Sequence, residues 1–139
     1  LLVTLFRDVM DIEQKVIITP EFKDITNNDM HVINAIGIGT TKNMSSIAKE
    51  LSVTVGTLTI SMNSLVKKGY VIRCRSTQDR RVVHISLSEK GVKAYYHHKH
   101  FHEQMIQGVV GVLTEEELQA LIKALTKLNS WFRSFGEDE

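Results

Sequence analysis

A chain of 139 residues is long enough for one domain that buries roughly two-thirds of the surface its unfolded form exposes. Hydrophobic content of 42% with 24% charged residues is ordinary for a globular protein, and no stretch reaches the ~18 uninterrupted apolar residues of a membrane span. The net charge of +1 hides a segregation: residues 41–99 hold eleven Lys/Arg against three Asp/Glu, while both flanking segments are acidic. A basic middle between acidic ends points one region of the chain at a polyanion.

The single cysteine, Cys74, excludes an internal disulfide framework and fits a reducing compartment, so a cytoplasmic location is expected. Neither a secretion signal nor a membrane partner is expected. The first residue is leucine, so the natural start is expected to lie further upstream. There is no Gly-rich phosphate loop, cysteine pair or nucleophile elbow, and the expectation is a protein that is not an enzyme, with no catalytic residues and no cofactor.

In chain order, Leu2, Leu5, Phe6, Val9, Ile12 and Val16 recur three or four apart and predict a helix over 1–17. Pro20 breaks it, because its ring clashes with a helical backbone. Thr26 or Asn27 can cap a second helix, with Met30, Ile33 and Ile36 on one stripe, ending at Gly37. A short helix over Met44–Leu51 follows, with Ser45 or Ser46 near its start. The turn Ser52-Val53-Thr54-Val55 then leads into a helix from about Val55 to Lys67, with Leu58, Met62 and Leu65 inward. Two short helices joined by a tight turn make a helix-turn-helix, whose second helix can lie in a DNA major groove.

Tyr70–Arg75 and Arg81–Leu87 are β-branched alternating runs and predict two strands around the polar tip Ser76-Thr77-Gln78-Asp79-Arg80. A helix-turn-helix followed by a hairpin with a cationic tip is a wing, and a narrow minor groove attracts arginine. Ser88-Glu89-Lys90-Gly91 opens a long helix to about Val110. Thr114, with Glu115, Glu116 and Glu117 behind it, opens a last helix with an apolar stripe from Leu118 to Phe135. The fold class expected is mainly α with a small two-stranded β-wing. Residues 26–99 form the winged helix-turn-helix lobe, and 1–20 and 100–139 the dimerisation helices of a homodimer.

This order of elements, with Asp79-Arg80-Arg81 in the wing and Leu87-Ser88-Glu89-Lys90-Gly91 at the strand-to-helix junction, resembles the MarR family of bacterial transcription regulators. Val53–Thr59, Lys67–Val71 and the stretch from Arg75-Ser76 to Val83-His84, with Phe22–Ile25 and Met30-His31, are similar to the fatty-acid-synthesis repressors of low-GC Gram-positive bacteria. That resemblance implies a repressor of fatty-acid-synthesis genes on a pseudo-palindromic operator, with acylated acyl carrier protein as co-repressor. Other MarR-like regulators imply the alternatives: release by a small aromatic or lipid-like effector, or a response to zinc.

On the outward face of the recognition helix, Thr54, Gly56, Thr57, Ile60, Ser61 and Ser64 are candidate DNA contacts, with Asn63 at its edge. Small hydroxyls donate or accept at base edges and their methyls touch thymine, which favours an A/T-rich operator. Arg80 is the candidate for minor-groove insertion, and Arg81 lies beside it. Lys42, Lys49, Lys67, Lys68 and Arg75 are candidate phosphate contacts. Asp79 is expected to pair with Arg73, Arg75 or Arg81 and stiffen the hairpin, while Cys74 is expected to pack as a small strand residue. In the histidine-rich run, His98 and His102 stand i and i+4, a spacing suited to zinc. With Lys99 they equally suit a docking surface for an acidic partner, an effector pocket or a plain solvated helix.

Overall fold

The computed structural model describes residues 1–137; residues 138 and 139, part of the expected C-terminal dimerisation segment, lie outside the described residues. Six helices and two strands follow one another: α1 (Leu2–Ile17), α2 (Asn27–Ile36), α3 (Met44–Leu51), α4 (Val55–Lys67), β1 (Val71–Arg75), β2 (Val83–Leu87), α5 (Glu89–Val112) and α6 (Glu115–Glu137). They gather into two units, Leu1–Phe101 and His102–Glu139. None of the described helices is long and apolar enough to cross a membrane.

The first unit is built around one apolar core. Met30, Ile33 and Ile36 from α2 meet Ile47 from α3, Leu58, Met62 and Leu65 from α4, and Ile85 from β2, all essentially without solvent contact. Burying each such side chain contributes about 1.5–3 kcal/mol, so the 3.6-residue stripes fix how these helices face one another. The helix starts are equally explicit. Thr26 and Asp29 form a capping box, with the Thr26 hydroxyl accepting from Asp29 N–H at 3.1 Å and the Asp29 carboxylate from Thr26 N–H at 3.0 Å. The cap of α3 is Asn43, whose Oδ1 accepts from Ser46 N–H at 2.8 Å, with Ser45 and Ser46 in the first turn behind it.

β1 and β2 pair antiparallel, with Val71 opposite Leu87 and Arg75 opposite Val83. Lys42 adds a bridge on the open edge of β2, exchanging hydrogen bonds with Ile85 at 2.9 and 2.7 Å. This roots the hairpin against the segment before α3. Only Val71 of β1 is buried, because the ribbon projects beyond the core after its first residue. Cys74 therefore is exposed, opposite His84, rather than packed as its small size led us to expect. The strands are shorter at the tip than the sequence pattern implies, since Val82 N–H is taken by the Asp79 carbonyl at 3.0 Å and belongs to the turn.

Tyr70 sits where α4, β1 and α5 converge. Its backbone N–H donates to Leu65 O at 3.0 Å and its carbonyl accepts from Ser88 N–H at 2.9 Å. The buried phenol donates to Asp24 Oδ1 at 2.7 Å, and Lys90 Nζ lies 4.3 Å above the ring. That hydrogen bond, with Lys90 nearby, holds the Asp24 carboxyl below its usual range. Burial and the Asp24 contact push the phenol upward, so it stays protonated throughout the neutral range. Gly91 is fixed by the same residue, because a Cβ there would overlap the Tyr70 carbonyl oxygen.

In the second unit, Thr114 caps α6 by accepting from Glu117 N–H at 3.2 Å, while the Glu117 carboxylate accepts from Thr114 N–H at 3.1 Å. α5 continues to Val112 past Gly108 and Gly111, slightly beyond its expected end. A helical glycine costs only about 1 kcal/mol and does not by itself stop a helix. α6 leaves Ile122, Leu125, Trp131, Phe132 and Phe135 exposed, Phe135 by 70%.

Two stability outcomes follow. Gly91→Ala is expected to lose about 3 kcal/mol, the cost of forcing a methyl into backbone, read as a lower midpoint in urea. Tyr70→Phe is expected to lose about 1 kcal/mol at pH 7, a charged-group hydrogen bond discounted for the partial exposure of Asp24. Because the folded Asp24 pKa is depressed, its contribution is present above the unfolded carboxylate value and fades as pH falls through the folded one. The gap between wild type and Tyr70→Phe should therefore narrow below about pH 4.

Candidate nucleic-acid interface

α3 ends at Ser52, which takes the left-handed conformation at φ 55°, and Val53 N–H returns to Ala48 O at 3.0 Å. The chain turns at once into Thr54, the N-cap of α4, whose hydroxyl accepts from Thr57 N–H at 3.1 Å and donates to Thr57 Oγ1 at 2.9 Å. The apolar stripe of α4 is locked into the core, and this decides what remains outside. Thr57 is exposed, Ile60 is 75% exposed, and Ser61 and Ser64 are half-buried. Ser61 Oγ accepts from Asn28 Nδ2 at 3.2 Å, so α2 braces this face from one side. At Gly56 an added methyl would meet nothing nearer than Thr54 Oγ1 at 3.9 Å, so no contact within the chain requires glycine there.

Asn63 and Arg73 are joined: Arg73 Nη1 donates to Asn63 Oδ1 at 2.7 Å. Of the three arginines expected as partners for Asp79, Arg73 reaches instead from β1 to α4 and ties the wing to the recognition helix, and Arg81 takes the carboxylate. Asp79 holds Arg81, accepting from its backbone N–H at 3.0 Å and its Nε at 3.2 Å. The Arg81 side chain is 91% exposed, so this pair contributes little energy. Its effect is geometric, because the Asp79 carboxylate closes a tight turn while Ser76 N–H donates to Val82 O at 2.8 Å across the hairpin base. Arg80, in that turn, points its charge into solvent.

The candidate phosphate contacts divide. Lys49, Lys67 and Arg75 are exposed. Lys42 turns inward, its Nζ donating to Ala35 O at 2.6 Å, at the end of α2, and meeting Glu50 at 3.2 Å. Lys68 pairs with the buried Asp29 carboxylate at 2.8 Å. These two hold the fold together before they can serve a ligand. Asp29 as the acidic member of a capping box was readable from Thr26-Asn27-Asn28-Asp29, but its lysine, 39 residues away, was not.

The histidine run also divides. His98 is only 6% exposed and shares a hydrogen bond with Glu13 Oε1 at 2.9 Å, so it is turned away from any docked partner. His97 donates from Nε2 to Val16 O at 3.0 Å and lies against the Phe22 ring at 5.3 Å. Lys99 and His100 are exposed, and His102 is half-buried. Sequence reasoning did not find Glu13, because its partner lies 85 residues away.

Comparison with known proteins agrees with this geometry. FabT of Streptococcus pneumoniae, solved in complex with DNA, is 40% identical; the likeness covers 96% of this chain and 94% of that one at a TM-score of 0.88. The S. aureus MepR–DNA complex is similar at 28% identity and TM-score 0.69, over 95% of this chain and 98% of that one. Among curated proteins, the uncharacterized HTH-type transcriptional regulator YwhA of Bacillus subtilis is 33% identical over 61% of each chain. Residues 15–96, more than half of the chain, match the family described as transcriptional regulator SarA/Rot. A capped helix-turn-helix, an arginine-tipped wing rooted beside it and this family match lead to one conclusion: the chain belongs to the SarA/Rot family of MarR-like winged-helix transcriptional regulators, which bind DNA.

Proposed function

We propose that the protein is a homodimeric repressor of fatty-acid-synthesis genes, with acylated acyl carrier protein as the co-repressor that strengthens its hold on the operator. The observation that carries this reading is the likeness to FabT, which spans nearly the whole chain and whose structure holds DNA. The resemblance of Val53–Thr59 and Lys67–Val71 to fatty-acid-synthesis repressors supports the same assignment.

Each part of the reading has its own residues. Thr57, Ile60, Ser61 and Ser64 would meet base edges in the major groove, with Thr54 and Gly56 at the start of the helix near the phosphates. Asn63 and Arg73 hold the edge of that face, while Lys67 and Arg75 position the backbone. Arg80 enters the minor groove, and Asp79 with Arg81 fixes the turn that presents it. A second copy covers the exposed apolar face of α6 around Trp131, Phe132 and Phe135, and the exposed Leu5, Phe6 and Met10 of α1. Two copies then read a pseudo-palindrome with half-sites about one helical turn (~10 bp) apart. An effector acts by binding the DNA-competent spacing of the two recognition helices more tightly than other spacings. Lys99, exposed on α5, is the cation left for an acidic carrier protein, with His102 beside the same path.

Arg80→Ala is expected to weaken binding to an operator duplex and to lower the dependence of log K on log salt by about one; unchanged affinity and slope would remove the wing from the interface. For the co-repressor, fluorescence anisotropy on a fatty-acid-synthesis promoter duplex at fixed salt should report tighter binding when long-chain acylated carrier protein is added. Weaker binding on adding a lipid-like or aromatic ligand would instead favour an effector that releases DNA. Indifference to the carrier protein would discard the lipid assignment and keep the regulator.

A further inference from the structure

A serine or threonine hydroxyl has one proton to donate and two lone pairs that accept. Around the first two turns of α4 that proton is already committed at two positions. Thr54 Oγ1 donates to Thr57 Oγ1 at 2.9 Å while accepting from Thr57 N–H at 3.1 Å, and Thr59 Oγ1 donates back to the Val55 carbonyl at 2.7 Å. Thr57 and Ser61 differ. Each accepts through its oxygen, Thr57 from Thr54 and Ser61 from Asn28 Nδ2 at 3.2 Å, and among the described residues neither gives its own proton to an acceptor. They stand i and i+4 on the outward face of the helix, about 6 Å apart along its axis. Ser64, the next hydroxyl on that face, is held by no side-chain hydrogen bond among the described residues and turns either way.

We propose that Thr54 and Asn28 are positioning residues that set Thr57 and Ser61 as a pair of hydrogen-bond donors, so that α4 selects base edges presenting an acceptor at two neighbouring steps of the major groove. The inference rests on the reading that α4 lies in that groove. The internal bond does two things to each hydroxyl. It occupies one lone pair, which turns the proton away from Thr54 or Asn28, and it polarises the O–H, which strengthens it as a donor. Docking on DNA then removes water, and a donor left without an acceptor in a dry interface is costly. Purine N7, guanine O6 and thymine O4 are the acceptors of the major groove, whereas cytosine N4 and adenine N6 present amino hydrogens. An amino group opposite Ser61 meets the remaining lone pair but leaves the serine proton unsatisfied, so that pairing is disfavoured. Asn28 reads no base itself. It comes from α2, outside the helix-turn-helix, and bears on specificity through Ser61.

The test uses the full chain and the duplex that the wild type enriches from a random library. In that duplex 7-deazapurines remove N7 one position at a time, 2-aminopurine removes guanine O6, and 5-methylpyrimidin-2-one removes thymine O4. Wild-type affinity is expected to fall about fivefold at two neighbouring steps of each half-site, one hydrogen bond lost at each. Ser61→Ala should erase the sensitivity at one step and Thr57→Ala at the other. The deciding variants are Asn28→Asp and Thr54→Asp, because a carboxylate only accepts and takes the hydroxyl proton for itself. Aspartate still caps a helix, so α4 keeps its start. Both changes add negative charge near phosphate, so the readout is the ratio of affinities for unmodified and modified duplexes, which charge alone leaves in place. Asn28→Asp should bring that ratio to about one at the Ser61 step and spare the Thr57 step. Thr54→Asp should do the reverse, and Thr54→Ser, which keeps the hydroxyl, should retain both. Circular dichroism establishes that the variants are folded; should Thr54→Asp unfold, Asn28→Asp decides, since Asn28 is exposed. Wild-type ratios retained in Asn28→Asp, or a wild type indifferent to every missing acceptor on a duplex that it binds selectively, would overturn the proposal and leave α4 in the groove. Enrichment of no sequence by the wild type would remove the groove reading itself, and this proposal with it.

Discussion

The direction in which the recognition helix points depends on Tyr70. The helix ends at Lys67, and the chain must turn back into the wing within three residues while its C-terminal carbonyls still need partners. Tyr70 N–H satisfies one of them at Leu65, its carbonyl receives Ser88 N–H from the start of α5, and its phenol reaches Asp24 in the segment before α2. One fully buried residue, through its backbone and its side chain together, therefore joins α4, the start of α5 and the segment before α2. Gly91 lets the first turn of α5 lie directly on that carbonyl, so the start of α5 is set against the turn between α4 and β1 by backbone contact. Lys90 above the ring and Lys68 on Asp29 then place two cations of the basic segment into structural duty.

What is left over from folding is the outward face of α4, the surface proposed to meet DNA. The core takes Leu58, Met62 and Leu65 from α4, and the small residues opposite them remain available, shaped by caps instead of by packing. Short hydroxyl side chains allow close approach of a helix to base edges, whereas long ones would hold it off. The wing carries charge instead: Arg80 is presented by a turn that Asp79 and Ser76 hold shut, and the Arg73–Asn63 hydrogen bond keeps the ribbon in step with the helix beside it. Helix and wing are thus tied side by side, with Lys67 and Arg75 exposed beside them.

The sequence made much of this legible. Apolar stripes three and four apart in α2–α4, β-branched alternation around a polar tip, and Thr26 and Thr114 as caps are local signals, and the elements lie where those signals put them apart from the shifted ends of the strands and of α5. The outward face of α4 could be read by subtraction from its inward one. The rest depends on pairs distant in sequence. That Lys42 bonds Ala35 and Ile85, that Lys68 seeks Asp29, and that Glu13 meets His98 follow from tertiary packing, which no local pattern encodes. Cys74 illustrates the converse: its strand was recognised, but how far that strand projects beyond the core was not.

The central claim is that two such heads read DNA as a symmetric pair, and selection of binding sites from a random duplex library tests it most directly. The account predicts enrichment of an A/T-rich inverted repeat whose half-sites are centred about one helical turn (~10 bp) apart. Enrichment of no sequence, or of a single unrepeated half-site, would contradict it.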